Sequence, residues 1–371
     1  MSESGQALRL GLQQRVLPAY RVPFFTTLAG YCGKGLGIFA GHPRIEEAIE
    51  TQQQVPGALV WQAKNLHLLS GKAYLCWQQG LLPWLEAWQP DALVMEANPR
   101  YLSSLQAVHW MRARHRPVIG WGLGAPGGSG ALGIRRYLRM AFLRQFDALI
   151  AYSRQGAEQY RNLGFPAERV FVALNAAVPR PLQPAPERPP EFQGKATVLF
   201  VGRLQERKRL DLLLHACAAL PKDSQPRLVI VGEGPAGEAL RRLAAQVYPQ
   251  AEFAGAHHGQ ALAPYYDTAD LFVLPGTGGL AVQQAMAHAL PVIVAEADGT
   301  QADLVRPQNG WLLPPGNLAE LKSTLEQALI SARRLRAMGA ESYRIVAEEV
   351  NVERMAEVFI QAVEIARQLR K

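Results

Sequence analysis

Cysteine is scarce: Cys32, Cys76 and Cys217 are the only three in 371 residues. Scattered and odd in number, they cannot frame a disulfide-stapled fold, and they suit a reducing cytoplasm. Their spacing matches no metal-ligand pattern either. Long apolar runs are also missing, since none reaches the ~18–20 residues of a membrane span. Residues 1–11 are too short and too polar to read as a secretory signal, so the expected location is cytoplasmic. Helix-turn-helix, RNA-binding and zinc-finger patterns are absent, which removes nucleic acid from the expected partners. No repeat of solenoid length recurs.

What is present is a soluble-protein composition, 49% hydrophobic and 19% charged with a mean hydropathy of −0.05. The length exceeds what one hydrophobic core usually serves, so two domains are expected. The net charge of +8 is lopsided: residues 1–190 carry 20 Lys/Arg against 11 Asp/Glu, and residues 191–371 carry 19 against 20. A basic first half points to an anionic membrane surface or an anionic acceptor. Part of the excess is Arg135, Arg136, Arg139 and Arg144, interleaved with Ile134, Leu138, Met140, Ala141, Phe142 and Leu143. That segment fits an interfacial amphipathic helix peripheral to the inner face of the cell membrane, or a solvated basic helix on the domain surface.

Strands and helices alternate along the whole chain. Strands are expected near 8–12, 36–40, 58–61, 92–96, 117–121, 147–151 and 170–174, with helices at 21–31, 72–88, 101–114, 131–145 and 154–163. Six prolines between Pro179 and Pro190 then mark a stiff linker. Beyond it come strands at 196–202, 227–232, 251–254, 271–275, 291–295 and 311–313. The helices there are 208–219, 236–247, 260–267, 280–288, 317–338 and 353–369. This predicts an α/β protein of two doubly wound, Rossmann-like parallel-sheet domains facing a cleft.

Three strand-end constellations carry chemistry. The richest is Pro275-Gly276-Thr277-Gly278-Gly279, an apolar strand turning into a helix at Leu280. Glycines let the backbone approach a ligand, and the helix N-terminus favours an anion such as phosphate. Gln284, one turn into that helix, is placed to bond a ribose hydroxyl or to sit on a half-exposed face. Earlier, Gly202-Arg203-Leu204 ends a strand and Lys208 follows five residues after Arg203; two cations there would hold a diphosphate. Arg207 and Arg209 read as solvated helix-start residues. Finally, Gly232-Glu233-Gly234-Pro235-Ala236-Gly237 is a literal G-x-G-x-x-G with Glu252 twenty residues past Gly232, the form of a dinucleotide fingerprint. Its position at the second strand of its domain argues against that reading, and Pro235 fits the first turn of the next helix. In the first half, Tyr20, Arg21, Glu96, Asn98, Arg100 and Trp121 fall at expected strand ends, as acceptor or sugar contacts or, for Tyr20 and Trp121, as packing.

The blocks FVGRLQERKRLDLLL, LVIVGEGPAGEAL, FAGAHHGQALAPYYDTADLFVLPG and AVQQAMAHALPVIV, in this order over 195–335, resemble the donor-binding domain of the retaining family-4 glycosyltransferases of the GT-B fold. More loosely, Tyr20–Phe25, Trp121-Gly122-Leu123-Gly124 and ALIAYSRQGAEQYRNLGFPAERVFVALN resemble the N-terminal domain of bacterial members acting in surface-polysaccharide or glycan assembly. The resemblance implies an acceptor-binding domain over 1–178, with a C-terminal helix at about 353–371 crossing back to it. A linker at 179–194 and a donor domain over 195–352 complete the order. It also implies Arg203 and Lys208 on the donor diphosphate and Thr277–Leu280 at the sugar and phosphate. Gly202, Gly234, Pro235 and Gly276–Gly279 would contribute to the nucleotide site, with the strand-end glycines around Gly234 flanking the base and Gln284 near the ribose.

Two departures stand out. The family usually carries two glutamates eight positions apart around the glycine loop, and those positions here are Gly276 and Gln284. A histidine often found in the Trp-Gly-x-Gly segment is here Leu123. The resemblance implies sugar transfer from a UDP- or GDP-linked donor to a glycan or lipid-linked acceptor. Retention is expected, with no cofactor and, lacking any Asp-x-Asp motif, no metal. Three rivals stand beside it: a GT-B sugar-nucleotide epimerase, a degenerate nucleotide-binding relative, and a nicotinamide dehydrogenase resting on Gly232 alone.

Overall fold

The computed structural model describes residues 8–370 apart from 48 and 126–133. Most of the 1–11 segment weighed as a signal, and residues 131–133 of the helix expected at 131–145, lie outside the described residues. Two compact units emerge: residues up to Pro179 together with those from Val352 onward, and Arg180–Asn351.

The first unit holds an eight-stranded sheet of β1 (Leu10–Val16), β2 (Leu36–Gly41), β3 (Ala58–Leu68), β4 (Leu75–Gln79), β5 (Ala92–Glu96), β6 (Val118–Gly122), β7 (Ala148–Ala151) and β8 (Val170–Val172). Their spatial order is β4-β3-β2-β1-β5-β6-β7-β8, parallel except for the antiparallel β3–β4 pair. Strands such as β5 (Ala-Leu-Val-Met-Glu) and β7 (Ala-Leu-Ile-Ala) are apolar almost throughout because helices cover both faces of a parallel sheet. The closing helix Val352–Gln368 belongs to this unit; its Phe359 ring meets Phe24 and Trp121, each at 4.9 Å.

The second unit is a six-stranded sheet of β9 (Thr197–Val201), β10 (Arg227–Val231), β11 (Glu252–Gly255), β12 (Leu271–Leu274), β13 (Val292–Ala295) and β14 (Gly310–Leu313). All pairs are parallel, in the order β11-β10-β9-β12-β13-β14. The chain steps from β9 outward to β10 and β11, then returns to the other side of β9 with β12. That reversal opens a crevice at the carboxyl ends of β9 and β12, where open α/β sheets bind ligands. In unit one the same reversal lies between β1 and β5.

Two expected elements differ. Instead of one helix over 72–88, the chain forms β4 and then a helix Leu81–Trp88, separated by Gly80 at φ +89°. The inward side chains of β4 are Cys76 and Gln78, and a buried glutamine disguises the strand alternation. Gln78 is held by Gln13, by the Gln14 carbonyl and by Asn65. The helix expected over 317–338 is two helices, Leu318–Ala328 and Ala332–Glu348. Asn317 and Ser331 cap them by accepting from the Glu320 and Arg334 N–H groups, which restarts the helix despite continuous apolar periodicity.

The proline-rich stretch has no regular secondary structure and belongs to the second unit from Arg180 on. Arg188 fastens it there: its guanidinium donates to the carbonyls of Tyr266, Asp267, Ala269 and His288 at 2.5–2.9 Å.

Candidate active site

In the second unit the crevice is built by three turns packed backbone to backbone. The Leu204 N–H donates to the Glu233 carbonyl, and the Ala236 N–H to the Leu204 carbonyl. A Cβ on Gly234 would lie 2.4 Å from that Leu204 oxygen, so the second glycine of the G-x-G-x-x-G pattern is spent on packing the β9 and β10 turns together. Glu252 starts β11, away from the carboxyl edge, and pairs with Arg227 at 2.6 Å. The acid that a dinucleotide reading needs is therefore at the wrong end of its strand. Pro235 also departs from expectation. The helix begins at Gly237 with Ala236 as its N-cap, so Pro235 precedes the first turn rather than opening it.

The third turn leaves β12. Its Thr277 N–H donates to the Arg207 carbonyl at 2.9 Å, which seats the glycine turn directly on residues 206–208. A Cβ at Gly276 would fall 2.3 Å from the Arg207 oxygen and 2.5–2.6 Å from Lys208 backbone atoms. In this conformation the position admits no side chain, so no glutamate can stand there. Gly278 takes φ +143°, and a Cβ there would collide with the Lys208 ammonium. Lys208 also reaches past Gly202, whose own Cβ would meet Lys208 Cε at 3.9 Å. Gly279 is the N-cap of the helix Leu280–Ala287, and among the described residues no side-chain cap hydrogen bond closes its opening N–H groups.

Lys208, Gly202, Gly276, Thr277, Gly278, Gly279 and Leu280 thus share one crevice. Burial, and secondarily the adjacent Arg207, lowers the Lys208 pKa to about 8. Arg203 is exposed on the β9 turn. Arg207, read from sequence as merely solvated, donates from its guanidinium to Thr277 Oγ1 at 3.0 Å and brings another cation to the turn. A second unforeseen residue is Gln301. It is buried, and its amide donates to the Gly278 carbonyl at 3.2 Å, bracing the turn from the next strand connection. Nothing local in the sequence marks it. Gln284 is exposed, and its Oε1 accepts from the Tyr266 hydroxyl at 3.2 Å, leaving one lone pair on that oxygen and the NH₂ group for a ligand.

The first unit has its own pocket, of about 490 Å³, at the carboxyl ends of β5 and β6. Glu96, Asn98, Arg100 and Trp121 all line it. Glu96 Oε2 accepts from the Arg15 N–H at 2.9 Å, and burial raises this carboxyl to about 7. Trp121 is fully buried and forms part of the wall. Arg21 is only 5% exposed and lies behind that wall, its guanidinium over the rings of Trp121, Tyr152 and Tyr20 at 4.7, 5.2 and 5.4 Å. Its role as a direct contact gives way to one beneath the surface. Tyr20 is exposed on the turn Ala19–Arg21 and is not among the residues of the pocket wall.

The basic helix Ile134–Leu143 buries Met140, Phe142 and Leu143 and leaves Tyr137 and Leu138 exposed at 71% and 60%. Most of the apolar face assigned to a membrane therefore belongs to the domain core; the side chains of Ile134 and Arg135 lie outside the described residues. No described helix is long and apolar enough to cross a membrane. Among the described residues, no group of three or more His, Cys, Asp or Glu could hold a metal ion.

Comparison with known proteins meets this geometry on both sides. Residues 195–331 match the family described as Glycosyl transferases group 1, and residues 9–176 match the Glycosyl transferase 4-like domain. A GDP-mannose-dependent alpha-mannosyltransferase of Mycobacterium tuberculosis is 35% identical over 167 residues, 42% of either chain. The sulfoquinovosyl transferase SQD2 of Arabidopsis thaliana is 33% identical over 141 residues, 36% of this chain and 27% of that one. The matches thus span less than half the length of these curated relatives. The crystal structure of Anabaena HepE in complex with UDP superposes with a TM-score of 0.72 at 15% identity, covering 96% of this chain and 99% of that one. With both parallel-sheet units matched to the two halves of one family, the chain belongs to the family-4 glycosyltransferases of the GT-B fold.

Proposed function

We propose that the protein transfers a hexose from a nucleoside-diphosphate sugar to a glycan or lipid-linked acceptor, with retention at the anomeric carbon and without a metal. The observation that carries this reading is the Lys208 ammonium seated against Gly278, beside the uncapped start of the helix at Leu280. Positive charge and main-chain N–H groups there suit a diphosphate that gains charge as it leaves. Arg203 adds to that stabilisation, and Arg207 extends it toward Thr277. In the reaction the bond from the anomeric carbon to the phosphate oxygen breaks, a bond to the acceptor hydroxyl oxygen forms, and the hydroxyl proton passes to the departing diphosphate. This route asks for no protein base, which fits Leu123 and Gly276 at their positions.

The nucleoside is uridine or guanosine: HepE was crystallised with UDP, and the M. tuberculosis relative is named for GDP-mannose. The acceptor is assigned to the first unit's pocket, and the basic first half, with Arg136, Tyr137 and Leu138 exposed, supports apposition to an anionic membrane. A second reading, nucleotide binding without transfer, draws on the absence of any side chain at Gly276. Thermal shift with UDP, GDP and their sugars, followed by product detection with the stabilising donor, separates the two. Removing either cation, by Arg203→Ala or Lys208→Ala, should lower kcat about 10²–10³-fold. Wild-type turnover in both variants would refute the assignment.

A further inference from the structure

We infer that the pocket at the ends of β5 and β6 binds a hydroxylated ring bearing an acidic group. Its volume lies within the ~300–1,000 Å³ of small-molecule sites. Two guanidinium side chains, Arg100 and Arg139, line it, and Glu96 is the only carboxyl in its lining among the described residues. Arg100 is exposed and forms no ion pair among the described residues.

A further cation sits behind the wall. Arg21 is held by aromatic faces and by Met355 Sδ at 3.9 Å, with no carboxylate within ion-pair distance among the described residues. Its charge acts on the pocket's own carboxyl, Glu96, without an ion-pair contact, and its field is poorly screened across the Trp121 and Tyr152 rings. By contrast Arg15, the other cation near Glu96, is neutralised by Glu47 at 2.9 Å.

The single acid does not cancel this charge. Burial keeps the Glu96 carboxyl protonated over much of the range below pH 7, where it can donate to an anion rather than repel it. Asn98 supplies an amide for hydroxyl groups, and the aromatic wall supplies apolar faces for a ring. A neutral sugar would satisfy the amide and the rings but offer the Arg100 guanidinium no counter-charge.

A phosphorylated sugar and a uronic acid share the required chemistry. Naming this ligand the acceptor rests on the transferase reading, but its charge does not. Isothermal titration of the full chain with α-glucose 1-phosphate, glucuronic acid and glucose, each in the presence of saturating UDP or GDP, tests the inference. The expected result is binding of at least one acid, with glucose at least tenfold weaker. Arg100→Gln and Arg139→Gln should each raise the acid's Kd at least fivefold, and Arg139→Lys should restore part of it, with nucleotide affinity unchanged. A preference for the phosphate over the uronate identifies which acid the pocket takes. The inference is overturned if glucose binds as well as the acids, if no probe binds, or if acid binding survives both Gln variants. It is overturned equally if binding disappears in Lys208→Ala instead, which would place the probe on the diphosphate site. Failure of UDP and GDP to bind at all is a separate outcome and strikes the transferase reading alone.

Discussion

Lys208 shows how a single side chain couples burial to ligand charge. It was legible as a cation beyond β9, but its contact with Gly278 was not, because that contact depends on how the β12 turn folds onto it. The same limit explains Arg207 and Arg209. Both look like helix-start arginines, yet Arg209 takes φ +53° and pairs with Asp211 at 3.0 Å, while Arg207 reaches Thr277. Backbone direction, not residue type, separates them. A pH dependence follows from Lys208. Its unliganded pKa is lowered to about 8, and a diphosphate in contact favours the ammonium. Below pH 8 the group is already charged and nucleotide affinity should be flat with respect to it. Above pH 8, binding must take up a proton, so Kd should rise toward tenfold per pH unit until the pKa of the complex is reached. Titrations between pH 7 and 9.5 should show this slope with proton uptake, and Lys208→Arg, charged throughout, should remove it. A flat wild-type profile would contradict the role given to Lys208.

At the level of elements, alternation alone was enough to anticipate the two parallel sheets, since β5, β7, β9 and β12 are almost wholly apolar runs in a chain where strands and helices alternate. β4 was missed because Gln78 faces inward, satisfied by partners on β1 and β3 that no local pattern reveals. A shared device sets the strand starts. Asp91, Asp147 and Asp270 each precede a strand, and each accepts the N–H of a residue at the start of the neighbouring strand, from Arg9, Val118 and Thr197 respectively, at 2.7–2.8 Å. Asp147 and Asp270 then pair through their other oxygen with Arg370 and Arg336. Each of these two carboxylates thus ties two strands to an arginine far along the chain, Arg336 within its helix and Arg370 just past the last one. The pair Asp270–Arg336 is largely sheltered, with side chains 12% and 15% exposed. Asp270→Ala should cost about 2–4 kcal/mol, because it orphans the Thr197 N–H and leaves Arg336 without its partner. Asp270→Asn, which keeps an acceptor for Thr197, should cost less. Urea unfolding of the three proteins measures the difference; equal stabilities would dismiss the staple.

Across the whole molecule, charge and chain order divide the work differently from sequence order. The basic first half contains the pocket and the Arg21 stack, while the nearly neutral second half contains the Lys208 crevice. Yet the last helix, Val352–Gln368, belongs with the first unit, so residues from opposite ends of the chain complete one core. Phe359 is the centre of that closure: it is fully buried, and its ring stands edge-on to Phe24 and Trp121. Trp121 in turn carries the Arg21 guanidinium on its face and forms part of the pocket wall. Removing the Phe359 ring should therefore cost about 3–5 kcal/mol and loosen Trp121 beneath Arg21. In the full chain, Phe359→Ala should speed hydrogen exchange in β6 and β7, and weaken ligand binding in the pocket. Protection in β9 and β12, and affinity for the stabilising nucleotide, should stay at wild-type values, because every partner of Phe359 named here lies in the first unit. Uniform loss of protection in both sheets would mean that the closing helix supports more than the core it completes.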